Sequence, residues 1–539
     1  MYLTQGLHRA AQQQPDKVMT VQGARRRTFA QVIRRVSRLA SGLRRLGVDD
    51  GDRVAMLSLN SDCYNEYLLA VPWANAVLNP VNFRWRVHEI AYCLRDSGSR
   101  VLLVDEHHAG MVPALREAVP GLETVIGVAT GGLEGMVDYE ELAESAAPMD
   151  DARRGGGDLA GVFYTGGTAG EPKGVMLSHA NLGTSTLGTL ASGCVVQPGA
   201  RTLHVAPMYH MADLWNWVST LVVGGTHVML PAFDPRSMFD AIATHQVTAT
   251  LVVPTMIQLM VDHTEIGKYD LSSLRNVLYG ASPISQAVLE RAMKAFPNAA
   301  FTQGYGMTEL APIATLLTPE DHKHERLLRS AGRAAPHAEV RVADGDGHDL
   351  PAGTVGEVVV RGGHVMQGYW NKPAETASAM RDGWMHTGDA GYLDVDGYPM
   401  FTTIADLHRF TEMLRRGGEI GGVRILSPAM LRYSTRNYTG TMRNMVWDSI
   451  LSSRHWQPTP AALGLGFHVR GEQPLPGQSR FGALNSPRAF GGFGAGSTGC
   501  WVDPDYDLGI SFLSTGLLEE SRHVERTGLL SDMIISALV

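Results

Sequence analysis

The densest chemistry in the chain sits in eleven residues, Tyr164-Thr165-Gly166-Gly167-Thr168-Ala169-Gly170-Glu171-Pro172-Lys173-Gly174. Glycines this close together let successive backbone N–H groups point into one hollow, which suits a polyphosphate. Thr165 and Thr168 add hydroxyl donors, and Lys173 adds a mobile point charge. The order differs from the G-x-x-x-x-G-K-[ST] loop, because Pro172 precedes the lysine and Gly174 follows it. A flexible Gly/Thr surface loop is the plain alternative.

Two other stretches hold groups of the right type. In Gly304-Tyr305-Gly306-Met307-Thr308-Glu309, a hydroxyl stands beside a carboxylate on a glycine-flanked turn. That pairing can hold a phosphate oxygen and a magnesium ion together. In Thr387-Gly388-Asp389, an acceptor-only carboxylate can take two vicinal hydroxyls, as on a ribose. Alone, each is an ordinary glycine turn.

These stretches need elements to position them. The apolar run Leu159 to Phe163, just before the first loop, reads as a buried strand. Upstream, Val32, Val36, Leu39, Leu43 and Leu46 share one helical face, with a capping box at Thr28 and Gln31 and a stop at Gly47. The arginines between them read as a solvated face. Strands are expected at Arg53 to Leu57, Val101 to Asp105, Leu203 to Ala206, Thr248 to Val253 and Asn276 to Tyr279. Helices such as Val87 to Leu94 and Ser285 to Ala295 fall between. Short apolar strands alternating with helices indicate doubly wound parallel sheets. The glycine-rich segment Met149 to Asp158 reads as a join between two such sheets. From Gly332 to about Gly368, short strands and Gly/Pro/Asp turns suggest a small barrel.

The totals bound the rest. At 539 residues the chain calls for two to four domains. With 44% hydrophobic and 19% charged residues it can bury sizeable cores, and a net charge of −8 argues against nucleic acid as a main partner. Cys63, Cys93, Cys194 and Cys500 form no C-x-x-C pair, which suggests a reducing compartment and no structural zinc. No stretch has a signal pattern or transmembrane length, so a cytoplasmic protein is expected.

Tyr-Thr-Gly-Gly-Thr-Ala-Gly-Glu-Pro-Lys-Gly-Val-Met-Leu-Ser-His, from Tyr164 to His179, resembles the signature loop of the adenylate-forming acyl-CoA synthetases. The ordered motifs that follow extend the resemblance over roughly residues 1–401. It implies an α/β fold of two packed doubly wound parallel sheets (about 1–331) and a small β-barrel (about 332–401). It implies a reaction too: a fatty or aryl acid is activated by ATP through acyl-AMP and then passed to coenzyme A. Under it, Thr165, Gly166, Gly167, Thr168, Gly170 and Lys173 hold the phosphates. Thr308 contacts the α-phosphate, Glu309 binds Mg2+ and Asp389 takes the ribose. Tyr279-Gly280-Ala281-Ser282-Pro283 is similar to the segment lying against adenine, which brings in Gly280, Ala281 and Ser282, with Gly304 and Tyr305 completing the nucleotide side. Pro207-Met208-Tyr209-His210, followed by Trp215, resembles the border of the acyl slot, and Met307 joins it. Thr165, Lys173, Thr308 and Glu309 are the expected catalytic set.

After Tyr398 the resemblance lapses. The family's Val-Asp-Arg-Lys-Asp hinge is replaced by Thr402-Thr403-Ile404-Ala405-Asp406-Leu407, and Lys372 is the last lysine of the sequence. The lid lysine that grips the carboxylate and α-phosphate in relatives is missing. Losing one such preorganised donor typically costs about 10²–10³ in rate. Asp406-Leu407-His408-Arg409-Phe410, Val423 to Pro428 and Phe490 to Thr498 resemble the carboxy-terminal third of a β-lactamase-type serine hydrolase, as if by gene fusion. The tail, about 402–539, is expected as an atypical α+β fragment in place of the lid: packed on the barrel, bound to a partner protein that supplies a lid, or marginally ordered. Two rival readings stand beside the ligase. One is a scaffold that binds nucleotide or acyl-adenylate without turnover. The other is a serine hydrolase, which the lack of any Ser-x-x-Lys argues against.

Overall fold

In a computed structural model the chain divides into two compact units, Met1–Ala281 with Gln286–Phe401, and Ser282–Ser285 with Thr402–Val539. The structure describes all residues except 130, 167–170, 402–403, 441, 443–461, 472–480, 495–497, 513–519 and 539.

The first unit contains two large sheets. In the eight-stranded sheet, Leu159–Thr165, Val77–Pro80, Arg53–Leu57, Val101–Asp105, Thr124–Val128 and Val137–Asp138 run parallel in that spatial order. Lys173–Ser178 and then Gly368–Tyr369 extend one edge with antiparallel pairing. In the nine-stranded sheet the parallel order is Ala300–Gly306, Asn276–Gly280, Ala249–Val252, Arg201–His204, Thr226–Met229 and Val18–Gln22. Antiparallel strands close both sides: Arg25–Thr28 at one, Ile313–Leu317 and Arg333–Ala334 at the other.

Helix Phe29–Arg45 forms for the reasons its sequence states, except that Arg35, read as part of a solvated face, is buried and paired with Glu66 at 2.7 Å. Thr28 and Gln31 make the capping box, and Val32, Val36, Leu39 and Leu43 are fully buried. Strands Arg53–Leu57 and Val101–Asp105 lie where the apolar runs put them. The strand expected at Leu203 to Ala206 occupies Arg201–His204 instead, since Thr202 and His204 are as buried as the apolar residues around them.

One expectation is corrected. Met149 to Asp158 does not join two sheets: the strand it leads into, Leu159–Thr165, completes the same eight-stranded sheet as the strands before it. The small antiparallel part expected over 332–401 is present, as a five-stranded sheet of Glu339–Ala343, Gly356–Arg361, Trp384–Leu393, Met380–Arg381 and Pro399–Phe401, with no pairing among the described residues that closes it into a barrel. Arg333–Ala334 and Gly368–Tyr369, inside that stretch, are drawn off to edges of the large sheets, whose open backbone groups they pair.

The second unit has a core of its own. Strands His468–Val469, Phe490–Gly494, Thr498–Asp503 and Leu508–Phe512 form an antiparallel sheet, and helix Ile404–Arg415 packs on the last two. Met413, Leu414, Leu431, Val469, Phe490 and Val502 make one apolar cluster, and Phe481, Ala489, Trp501 and Ile510 another. Asp503 is buried, and its carboxylate accepts from the Ser486 amide at 2.7 Å and hydroxyl at 2.6 Å.

Candidate active site

Parallel α/β sheets bind ligands beyond the carboxyl ends of their strands, where the strand order reverses. In the nine-stranded sheet the order reverses at Arg201–His204, which has Thr226–Met229 on one side and Ala249–Val252 on the other. On one side of that point a cavity opens between helix Met211–Val222 and the carboxyl ends of Ala249–Val252, Asn276–Gly280 and Ala300–Gly306.

One wall is backbone and polar: Gly280, Ala281, Gly304, Tyr305, Gly306 and Thr308. Gly280 and Gly304 face each other in the ladder, and a Cβ on Gly280 would lie 2.1 Å from the Gly304 carbonyl oxygen. Only glycine keeps those strands in register at this wall. Apolar side chains, Met211, Trp215, Leu251, Leu278 and Ile313, make up much of the remaining lining. Trp215 is 1% exposed and both closes the cavity and packs in the core with Val195, Ala206 and Leu316.

His210 caps helix Met211–Val222, its Nδ1 accepting the Ala212 amide at 3.3 Å. His210 is exposed at the cavity mouth, and the protein packed on the ring's other side disfavours its charged form and lowers its pKa. The helix is fixed from below by Asp213, whose Oδ2 lies 2.9 Å from Nδ1 of the fully buried His204.

Thr165, Lys173, Glu309 and Asp389 do not line this cavity among the described residues, but a chain of contacts joins them to it. Tyr305 Oη donates to Asp389 Oδ2 at 2.7 Å, and burial with the nearby carboxylate pushes the phenol pKa up. Glu309 follows Thr308 in a 3-10 turn and is 5% exposed. Its Oε1 accepts from the Tyr369 hydroxyl at 2.8 Å. The Tyr369 ring in turn carries Lys173 Nζ, 4.4 Å from its centroid, and Lys173 pairs with Thr165 across the ladder. Met307 is half-buried at the cavity wall. Gly166 is exposed at the end of its strand, whereas Gly167, Thr168 and Gly170 lie outside the described residues. Ser282 falls in the segment grouped with the second unit.

Tyr369 is the residue that sequence reasoning missed. Its strand is two residues long and carries no periodicity; the only signal is an aromatic pair, Tyr369-Trp370, after a glycine. It links the cation after the glycine loop to the buried carboxylate.

The Glu309 carboxylate fits a hard cation. Oxygen donors are what Mg2+ takes, and among the described residues only Oε1 is hydrogen-bonded.

A family model described as AMP-binding enzyme matches residues 7–370. The chain is 38% identical over 412 residues to a feruloyl-CoA synthase from Amycolatopsis sp, covering 76% of this chain and 79% of that protein. It is 32% identical over 468 residues to a long-chain-fatty-acid–CoA ligase from Thermus thermophilus, covering 84% and 82%. Among solved structures, the inhibitor-bound N-terminal domain of FACL13 from Mycobacterium tuberculosis superposes with a TM-score of 0.69 at 30% identity, over 75% of this chain and 99% of that one. A model match across most of the chain, joined to a relative this similar over three quarters of it, makes this protein a member of the AMP-binding enzymes, the adenylate-forming family whose acyl-CoA ligases use ATP, Mg2+ and coenzyme A.

Proposed function

We propose that the chain activates an aryl or fatty acid with ATP, forming acyl-AMP and pyrophosphate, and passes the acyl group towards the thiol of coenzyme A. The observation that carries this reading is the cavity itself, lined by glycine backbone, Tyr305 and Thr308 together with apolar side chains that include Trp215. Similarity to a feruloyl-CoA synthase and to a fatty-acid ligase supports both acid classes.

In this reading Thr165, the loop from Gly166 to Gly170 and Lys173 hold the pyrophosphate end. Thr308 steadies the α-phosphate, and Gly280, Ala281, Ser282, Gly304 and Tyr305 flank the base. Asp389 accepts the ribose hydroxyls, while His210, Trp215 and Met307 border the acyl group. Glu309 would hold Mg2+, which neutralises phosphate charge when bound. The chain's own residues orient the acid carboxylate against the α-phosphate and exclude water from the apolar lining.

Residues 1–401 form the adenylate-forming part, and 402–539 replace the lid with a β-lactamase-like fragment acquired by gene fusion, in a cytoplasmic enzyme. The motifs from Asp406 to Thr498 support this, as does the absence of lysine after Lys372. The lost lysine slows turnover unless a partner protein supplies a lid.

Carboxylate-dependent ATP–pyrophosphate exchange over a panel of aryl and fatty acids, with and without coenzyme A, tests the reading. Exchange is expected, and Lys173→Ala and Glu309→Ala should abolish it. Nucleotide binding without exchange would favour a scaffold instead.

A further inference from the structure

We infer that Glu357 is a positioning residue for the nucleotide: it sets the Asp389 carboxylate by stitching down the bulge that carries it. The inference rests on the reading of Asp389 as the ribose acceptor.

Strands Gly356–Arg361 and Trp384–Leu393 pair antiparallel, with Glu357 opposite Ala390 and Val359 opposite His386. Val358 alone therefore faces three residues, Thr387, Gly388 and Asp389. Extra residues in one strand disrupt the ladder and re-aim a side chain, and they leave backbone groups that need other partners.

Two consecutive residues of the facing strand supply them. Glu357 Oε1 accepts the Gly388 amide at 3.0 Å, and the Val358 carbonyl accepts the Thr387 hydroxyl at 2.6 Å. Thr387 Oγ1 in turn accepts the Asp389 amide at 3.1 Å. Gly388 has φ +77°, a left-handed turn that glycine takes without strain. The bulge thus projects Asp389 outward, where Tyr305 meets one oxygen.

The second Glu357 oxygen is also held. His386 Nδ1 lies 2.7 Å from Oε2 and Arg381 Nη2 donates to it at 3.3 Å. Partial burial opposes ionisation of Glu357, but His386, the Gly388 amide and Arg381 outweigh it and hold the carboxyl below its ordinary range. An ionised carboxylate only accepts, so it cannot turn a donor towards the bulge. Both Glu357 oxygens are engaged by the Gly388 amide, His386 and Arg381, so it acts through Asp389.

The test compares binding of Mg-ATP and Mg-2′,3′-dideoxy-ATP to the full chain and to Asp389→Ala, Glu357→Ala, Glu357→Asp and Arg381→Ala. The parent chain should prefer ATP about tenfold or more, the worth of a charge-assisted hydrogen bond. Asp389→Ala should erase that preference. Glu357→Ala should cut it at least about threefold, leaving dideoxy-ATP affinity within about twofold, because only the ribose contact is disturbed. Arg381→Ala, which spares the Gly388 contact, should keep it. If Glu357→Ala does not fold, Glu357→Asp carries the test, since the shorter arm retreats from the Gly388 amide and should also lose preference.

A Glu357 variant with undiminished preference, or one that weakens both nucleotides equally, overturns the inference. If Asp389→Ala keeps the preference, the ribose reading is what fails, and the role of Glu357 falls with it.

Discussion

Tyr305 donates to Asp389 at 2.7 Å, tying the end of a parallel strand to the bulge of the small sheet 84 residues later. Tyr305→Phe keeps the ring and removes that tether. Asp389 is exposed and turns to water, so stability should fall by no more than about 1.5 kcal/mol. The KM for ATP should rise about three- to tenfold with kcat little changed. Steady-state exchange kinetics check this, and an unchanged KM with a lower kcat would count against the assignment.

Tyr369 couples Lys173 to Glu309 through its ring and its hydroxyl. Tyr369→Phe keeps the ring under the ammonium but frees the carboxylate. The Mg2+ concentration for half-maximal exchange should therefore shift, while Lys173→Ala should cost at least about 10² in rate. A Mg2+ titration of both variants separates the two effects.

Trp215 is one of the apolar side chains lining a cavity that must serve nucleotide and acyl group together. The indole is 1% exposed and stands among Leu251, Leu278 and Ile313, which line the same cavity. Compact aryl acids should outperform long chains, and Trp215→Ala should extend the accepted length. The same change should lower stability by about 3–5 kcal/mol, the cost of removing a large buried side chain. Acid-panel exchange and a thermal melt read the two effects independently.

Acid should weaken the fold through buried histidines. Burial lowers His364 to about 3, beside the His337 ring 4.6 Å away, and lowers His179 to about 4. Both are neutral when folded, while the unfolded chain takes up protons near the ordinary histidine value of about 6.5. Their contribution is therefore complete above that value and is lost as pH falls from about 6.5 towards 3–4. Denaturant melts across that window should show it, and His364→Gln should flatten the slope. An unchanged slope in that variant would remove His364 from the account.

Much of this was legible beforehand because it is local. The capping box at Thr28 and Gln31 and the strand at Arg53–Leu57 follow from period and neighbours. The glycine pair at 280 and 304, the Thr308-Glu309 turn and Asp389 were visible as short motifs. What escaped was register. Nothing in Gly368–Tyr369 announces that it will pair with Lys173–Ser178, and nothing in Thr387–Asp389 announces three residues facing one. Those are decisions made between distant strands, where open edges and ladder pairing outweigh local pattern. The same holds within 332–401, where a small antiparallel sheet forms as expected but the first and middle segments pair with the large sheets.

Val18–Gln22 pairs with Thr226–Met229, and apart from Arg25–Thr28 every other strand of that sheet is synthesised much later. On a ribosome adding about 5–20 residues per second, that strand waits roughly 10–40 s for its partner to emerge. Through that interval its ribbon with Arg25–Thr28 offers a bare flank to any passing strand. Slowing translation should therefore raise the share of newly made chain that needs a chaperone, more than the finished protein's stability would suggest.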